Sequence, residues 1–358
     1  MYKLAIKRYL QLFIALALII PTIIWIRDPY MLFHEKWFDS KRMHDNLRIQ
    51  NYGLIKYGNF DSIIIGTSMI ENTSANEASE KLGTEFANLS ISGSSFYERY
   101  KMLSFALKQK DIKHIIYSLD FKFNKSDEIN NTFNPGLYDD KVSGKFNVYL
   151  TSKALKCIFL NHKCDMKDYS LDRPNAWYNI EEHKRRFGGF ENWIKYRKED
   201  QQVKEALKKL SSTGDDYTLE YKEYKQIIDN EILPLLQHTE IQHSMIIPPY
   251  SLLWWNKRKN YLDEYFKVYV YLINKTAHMD NVKIYWFYDD DFSANIVNYK
   301  DLTHYHSSHN SRQIDAIKNG TNIINKRNYN IMFQKFKKKI LNFNIEKYLI
   351  LSRDGAAQ

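Results

Sequence analysis

Short apolar runs alternate with amphipathic stretches through most of this chain, and the alternation predicts its architecture. Ser62 to Gly66 (SIIIG) reads as a buried strand, Glu71 to Leu82 as a helix stopped by Gly83, and Glu85 to Leu89 as a short strand. Ser95 to Lys108 places Phe96, Tyr100, Leu103 and Leu107 at helical spacing, and Lys113 to Leu119 (KHIIYSL) is a third strand. After a long interruption the pattern resumes. Leu219 to Leu236 predicts a helix, Gln242 to Ile247 a strand stopped by Pro248 and Pro249, and Asn260 to His278 a long helix. Val282 to Tyr288 is a fifth strand, followed by a polar loop from Asp289 to Ser307 and a helix from Ser308 to Lys318. Strands separated by helices with short links imply right-handed crossovers and a parallel sheet. The expected fold class is α/β: a three-layer α/β/α, flavodoxin-like arrangement around five parallel strands. Ligands of such sheets sit beyond the carboxyl ends of the strands. Chemistry is therefore expected just after Gly66, Leu89, Leu119, Ile247 and Tyr288.

One apolar run is different. Tyr9 to Ile26 (YLQLFIALALIIPTIIWI) holds no charged residue. At helical rise it spans about 27 Å, close to the hydrocarbon thickness of a bilayer. It is apolar on every face, unlike a helix buried on one side of a soluble core. Lys3, Lys7 and Arg8 precede it and Trp25 closes it, which orients the N-terminus to the cytoplasmic side. A cleaved leader would need a shorter apolar core and a small-x-small site, and none follows Ile20. The expected organisation is a cytoplasmic segment 1–8, a single transmembrane helix 9–26 and an extracytoplasmic domain 27–358. The corresponding place in a cell is the inner (cytoplasmic) membrane, with the main domain periplasmic or otherwise outside.

Residues 122 to about 215 break the alternation. They contain Asn, Lys, Asp and Trp with no strand alternation and hold helical stretches such as Asp200 to Leu210. They read as a mostly helical insertion at the carboxyl edge of the sheet.

Composition changes little. The net charge of +10 would suit an anionic partner, but the basic residues are scattered apart from Lys184 to Arg186 and Lys335 to Lys339. They read as solvated faces, and no nucleic acid is expected. The two cysteines, Cys157 and Cys164, would close a small disulfide loop in an exported domain and remain thiols in a reducing one. Three histidines, His304, His306 and His309, match no common zinc spacing, and no metal or other cofactor is expected.

Three strand ends carry suggestive residues. Gly66-Thr67-Ser68 follows the first strand; glycine permits a sharp turn and close approach, and Ser68 would stand exposed near a helix N-terminus. Asn88-Leu89-Ser90-Ile91-Ser92-Gly93 follows the second, where Gly93 offers a backbone N–H to the same place. Asp301-Leu302-Thr303-His304 follows the fifth, where a carboxylate three residues from an imidazole can orient it. A serine hydroxyl needs such a base because it is hardly ionised at neutral pH. Taken singly, Ser68 reads as an N-cap, Gly93 as a turn residue and the Asp-His pair as a loop contact. Tyr250, Trp254 and Trp255, after the fourth strand, could stack on sugar rings or simply wedge the core.

In the order Gly-x-Ser, Asn-Leu-Ser-x-x-Gly and Asp-x-x-His, the chain resembles the SGNH (GDSL-like) hydrolase superfamily. The similarity is greatest to the membrane-anchored branch that handles acyl groups on cell-envelope glycans, through IIIGTSM, NLSISGSS and a terminal Asp-x-x-His-Tyr. It covers about residues 60–121 and 242–319, not the insertion. The resemblance implies Ser68 as nucleophile, His304 as base and later acid, Asp301 as its orienting group, and the N–H groups of Ser68 and Gly93 as an oxyanion hole. Asp120 and Tyr305, beside the matched motifs, and Trp254, after the fourth strand, are further candidates to line the site, with a structural role the alternative for Asp120. Two departures stand out. Thr67 replaces the usual Asp, and the third strand ends Ser118-Leu119-Asp120-Phe121 where the superfamily supplies an oxyanion Asn. The implied activity is a serine-dependent esterase or O-acyltransferase (O-acetylation among its forms) on an envelope polysaccharide. Its partners would be the glycan or acyl donor, the membrane through the N-terminal helix, and a membrane acyltransferase. The alternative is a non-catalytic module of the same fold in an envelope polysaccharide machine.

Overall fold

The computed structural model describes residues 2–35, 37, 42–44, 46–120, 133–160, 166–168, 185–211, 221–288, 291–346 and 348. The chain forms two compact units. One comprises Met1–Asn59, Lys101–Lys110 and Asn130–Ser170, the other Phe60–Tyr100, Asp111–Ile129 and Leu171–Gln358. The insertion is thus divided between them.

The first unit begins with helix α1, Tyr2–Arg27, whose most apolar 18-residue window has a mean hydropathy of 2.3 and is almost wholly exposed. By length and composition α1 is able to cross a membrane; a leader sequence has the same two properties. The helix starts seven residues before the apolar run, so it carries Lys3, Lys7 and Arg8 on its own first turns. It ends at Asp28, a buried residue with φ of 27°. The Asp28 carboxylate accepts the N–H groups of Leu32 (2.9 Å), Phe33 (2.8 Å) and His34 (2.9 Å), and the Tyr149 hydroxyl also donates to it. Helices Leu47–Tyr57, Pro135–Tyr138, Val142–Tyr149 and Ser152–Leu160 complete the unit, with a two-stranded antiparallel ribbon of Arg42–His44 and Met166–Asp168. Cys157 is disulfide-bonded, and Cys164, the other cysteine of the sequence, lies outside the described residues.

The second unit holds a six-stranded sheet: β1 (Ser62–Ile65), β2 (Phe86–Asn88), β3 (His114–Ser118), β4 (Gln242–Ile247), β5 (Val282–Trp286) and β6 (Ile323–Ile324), in the order β2-β1-β3-β4-β5-β6. The first five are parallel, with Ile64 opposite Asn88 and Ile116, and Ser118 opposite Ile246. β6 runs antiparallel to β5. The order reverses beside β1, which sets the switch point of the sheet at the carboxyl end of that strand.

Both faces are covered. Successive side chains of a strand alternate between faces. On one face Ile64, Ile116, Ile246 and Tyr285 pack with Ala75 and Ala78 of α2 (Ala75–Leu82) and Ile314 and Ile317 of α6 (Ser307–Asn319). On the other, Phe96 at the start of α3 (Phe96–Gln109) stacks on Tyr117. There α4 (Tyr221–Ile227) packs on α5 (Leu262–Thr276), and Trp286 meets Tyr269 of α5 and Phe333 and Phe336 of α7 (Tyr329–Leu341). Ile63, Ile64 and Ile65 are fully buried, each contributing about 1.5–3 kcal/mol.

Three elements differ from the sequence expectation. The helix predicted from Glu71 starts at Ala75, because the Ser74 hydroxyl caps it by accepting the Glu77 N–H (3.0 Å). Residues Thr67 to Thr73 are left as a turn. β6 is too short, at two residues, to give a periodic signal. It adds an antiparallel edge that alternation along the chain did not predict, and α7 follows it. Among the described residues the insertion is mostly helical, with Phe190–Tyr196 and Gln201–Ser211 in the second unit.

Candidate functional site

Beyond β1 stands Gly66, a position where nothing larger fits. A Cβ there would lie 2.5 Å from the Cβ of Ser118 and 2.8 Å from Ile70. Its carbonyl accepts the Ile91 N–H (2.9 Å) and the Ser94 hydroxyl (3.0 Å), tying the loop after β2 to the turn that carries Ser68. The Asn88 amide donates to the carbonyls of Ile70 (3.1 Å), Glu71 (3.1 Å) and Thr73 (2.8 Å), while its oxygen accepts the Ser90 N–H (3.0 Å). The Asn310 amide, from α6, reaches the Met69 carbonyl and the Thr73 hydroxyl, both at 3.1 Å. These two amides satisfy carbonyls that a helix would otherwise have used, which is why 67–73 stays a turn. Ser68 is half-buried on it.

Asp301 and His304 sit on a tight loop closed from both sides. Tyr299 and Tyr305 pair across it, the His306 N–H donates to the Asn298 carbonyl (2.8 Å), and the Lys300 N–H to that of His304 (3.0 Å). Asp301 Oδ1 accepts the N–H groups of Thr303 (2.8 Å) and His304 (2.9 Å) and the Thr303 hydroxyl (3.1 Å). That leaves Oδ2 for the imidazole, 2.6 Å from Nδ1. The opposite ring nitrogen, Nε2, lies 2.7 Å from Ser68 Oγ. Burial raises the Asp301 carboxyl, but the adjoining His304 charge and hydrogen bonds and the Lys300 ammonium outweigh it and hold the group well below the usual carboxylate range. An ionised Asp301 accepts the Nδ1–H, so Nε2 is free to accept the Ser68 proton. Lys300 is itself buried, which lowers its ammonium to about 8 against the opposing pull of Asp301.

The structure therefore brings Ser68, His304 and Asp301 together in hydrogen-bonding order. Gly93 is exposed on the turn before α3, with φ of 65° and open space around it. The Ser95–Glu98 pair caps α3 just beyond, Ser95 N–H to Glu98 Oε2 (2.9 Å) and Glu98 N–H to Ser95 Oγ (3.1 Å). The three residues expected around the triad are interior. Asp120 is fully buried, 3.8 Å from the Arg99 guanidinium and 3.3 Å from the Tyr250 hydroxyl. Arg99 also donates to the carbonyls of Ser118 (2.6 Å) and Ser95 (3.2 Å) and lies over the Phe96 and Tyr117 rings. Trp254 is buried with Tyr250, Trp255 and Tyr265 and presents no face to a sugar. Tyr305 is buried and its hydroxyl accepts the Gln313 amide (3.0 Å).

The histidine cluster divides. His304 faces Ser68, His306 caps α6 by accepting the Ser308 N–H (3.1 Å), and His309 is enclosed by Phe287, Phe292 and Tyr305. Among the described residues of the insertion, Phe187 and Gly189 lie on the His304 loop. Phe187 meets the His306 ring edge-on at 5.3 Å, and a Cβ on Gly189 would lie 3.0 Å from Val297. Arg186, paired with Asp200 at 2.6 Å, and Trp193, donating to the Arg186 carbonyl at 2.7 Å, hold this segment's own shape. Sequence reasoning did not find Asn310, Ser94 or Phe187. The one available signal was Asn310, which shares the inner face of α6 with Ile314 and Ile317 at helical spacing.

No family model matches the chain, and no curated protein or solved structure shows detectable similarity to it.

Proposed function

We propose that this protein is a serine-dependent O-acyl esterase or acyltransferase of SGNH type, anchored by α1 and acting outside the cytoplasm on a cell-envelope glycan. The observation that carries the reading is the relay Ser68 Oγ–His304 Nε2 (2.7 Å), His304 Nδ1–Asp301 Oδ2 (2.6 Å). It supplies an alcohol nucleophile, a base in contact with it and a carboxylate that fixes the base's tautomer, the set acyl transfer needs.

In the proposed reaction Ser68 Oγ attacks the acyl carbonyl as His304 Nε2 takes its proton. The leaving alcohol departs with that proton and Ser68 carries the acyl group. His304 then deprotonates a glycan hydroxyl or water, which attacks the ester and restores Ser68. The oxyanion would be held by the N–H groups of Ser68 and Gly93, on two loops joined through the Gly66 carbonyl. Phe187 and its neighbours, packed on the His304 loop, would limit water and so favour a sugar acceptor. A membrane acyltransferase is the natural donor for an enzyme held at the bilayer.

One feature favours the second reading, a non-catalytic binding module. The third strand offers no Asn, and Asp120 at that place is turned inward to Arg99. An oxyanion donor is worth about 3 kcal/mol of transition-state stabilisation, so its loss slows such a site without removing the nucleophile. Treating the full chain in detergent with a fluorophosphonate probe decides between them. Labelling that disappears in Ser68→Ala supports the enzyme; a folded protein that resists labelling, or labels equally without Ser68, overturns it.

A further inference from the structure

We infer that the first unit carries a second membrane contact: helix Ser152–Leu160 and the residues leading into it rest on the lipid surface beside the point where α1 leaves the bilayer. The inference rests on α1 spanning the membrane and is independent of any chemistry at Ser68.

The argument starts from position. Helix Ser152–Leu160 touches α1, and the one buried residue of α1 is Ile24, in its last turn. The chain beyond that turn is fixed to the same unit. The Tyr30 ring stacks on Tyr149 at 5.2 Å, Phe33 packs against Phe146 at 5.6 Å, and Asp28 binds the Tyr149 hydroxyl. Tyr149 ends the helix that directly precedes Ser152–Leu160. An aromatic cluster of Trp25, His34 and Trp37 sits at the same end of α1, with ring centroids 3.9–5.3 Å apart. Such rings gather at the headgroup level of a bilayer.

The exposed surface there has the chemistry of an interfacial helix. Val142 (62%), Leu150 (61%), Phe159 (42%) and Leu160 (70%) leave large apolar side chains uncovered. Ala154, Cys157 and Ile158 face inward, so the exposed Phe159 and Leu160 are not needed for the unit's own packing. Lys141, Lys153 and Lys156 are exposed here, whereas Lys145 is buried against Asp140 at 2.9 Å, and residues 141–160 hold no carboxylate. Apolar side chains flanked by lysine and level with the end of a membrane span suit the boundary between acyl chains and anionic headgroups. A bilayer is the occupant that α1 itself brings to this surface. Two attachments in one compact unit would fix its tilt against the bilayer, where a single helix would leave it free to swing.

The test uses the full chain in nanodiscs containing phosphatidylglycerol, with one nitroxide label per variant. Leu150→Cys, Phe159→Cys and Leu160→Cys probe the surface, Phe13→Cys the membrane helix, and Glu80→Cys, at an exposed position in the second unit, gives the aqueous reference. Relaxation by oxygen, which partitions into lipid, is compared with relaxation by a water-soluble nickel complex. The inference expects oxygen to dominate at positions 150, 159 and 160 as at 13, and nickel at 80. Nickel dominating at all three, with oxygen dominating at 13, overturns it. Labels shielded from both reagents also overturn it, because a protein surface, a second copy or a partner, would then cover the patch. Nickel dominating at 13 as well overturns the membrane span itself and the inference with it.

Discussion

Ser68 Oγ and His304 Nε2 lie 2.7 Å apart although 236 positions of chain separate them. The distance is set by two loops at the carboxyl edge of one sheet, each fixed by its own hydrogen bonds rather than by the contact between them. Ser68 rides on a turn pinned by Asn88 and Asn310; His304 rides on a loop closed by the Tyr299–Tyr305 pairing. A nucleophile and base held by hydrogen bonds other than their own contact keep their geometry when either is altered, so substitution there reads chemistry more than folding.

On the proposed reaction, Ser68→Ala or His304→Ala lowers acyl transfer to the level left by the oxyanion donors and binding alone. Asp301→Asn should cost about 10⁴-fold in kcat while keeping the fold, since the amide favours the wrong imidazole tautomer. Turnover of an aryl acetate by the three variants, beside their circular dichroism, checks this. Undiminished turnover in Asp301→Asn would remove Asp301 from the relay.

Gly66→Ala should disturb both stability and the site. The added methyl meets Ser118 and Ile70 well inside van der Waals contact, and overpacking of this kind costs about 1–3 kcal/mol. Because Gly66 also anchors Ile91 and Ser94, the strain should reach the Gly93 turn. The expected outcome is a lower urea midpoint together with slower fluorophosphonate labelling than in the parent. A neutral effect on both would mean that β1 and β3 have more room than their spacing indicates.

The Arg99–Asp120 pair should behave as structure. Asp120→Ala leaves the Arg99 guanidinium buried without its carboxylate and should destabilise by about 3–5 kcal/mol. Arg99→Met combined with Asp120→Leu replaces both charges and should cost much less. Thermal denaturation of the two variants is the measurement. If Asp120→Ala is instead as stable as the parent but binds glycan more weakly, Asp120 contacts substrate.

Acid should weaken the fold through buried imidazoles. Burial pushes His309 down to about 3 and His243 and His114 to about 4, with neighbouring positive charge adding to each. In the unfolded chain they titrate near 6.5, so below that pH the unfolded state binds protons the folded state refuses. Stability is fully present above about 6.5 and declines as pH falls towards about 4, by about 1.4 kcal/mol per pH unit for each fully buried histidine. His309→Phe, in its cage of Phe287, Phe292 and Tyr305, should flatten that decline. Urea midpoints across the range test it, and an unchanged slope would show that His309 is protonated in the folded state.

The five parallel strands, the helices between them and the apolar N-terminal helix were legible from the sequence, because each is written in local periodicity. SIIIG reads as a buried strand wherever it stands, and eighteen uncharged residues read as a span. The order of Gly66-Thr67-Ser68, Gly93 and Asp301-Leu302-Thr303-His304 could be placed at strand ends for the same reason. Only tertiary structure decided the rest. Asp120 and Trp254 follow strands as a site residue should, yet one turns inward to Arg99 and the other joins an aromatic core, because direction depends on what packs opposite. Asn88 reads as part of a motif and acts as a clamp on the Ser68 turn, a role defined by carbonyls up to eighteen positions away. The edge strand Ile323–Ile324 exists only by pairing with β5. Sequence carries what a residue's neighbours in the chain impose; the partners of Asp120, Asn88 and Ile323 are brought by the fold.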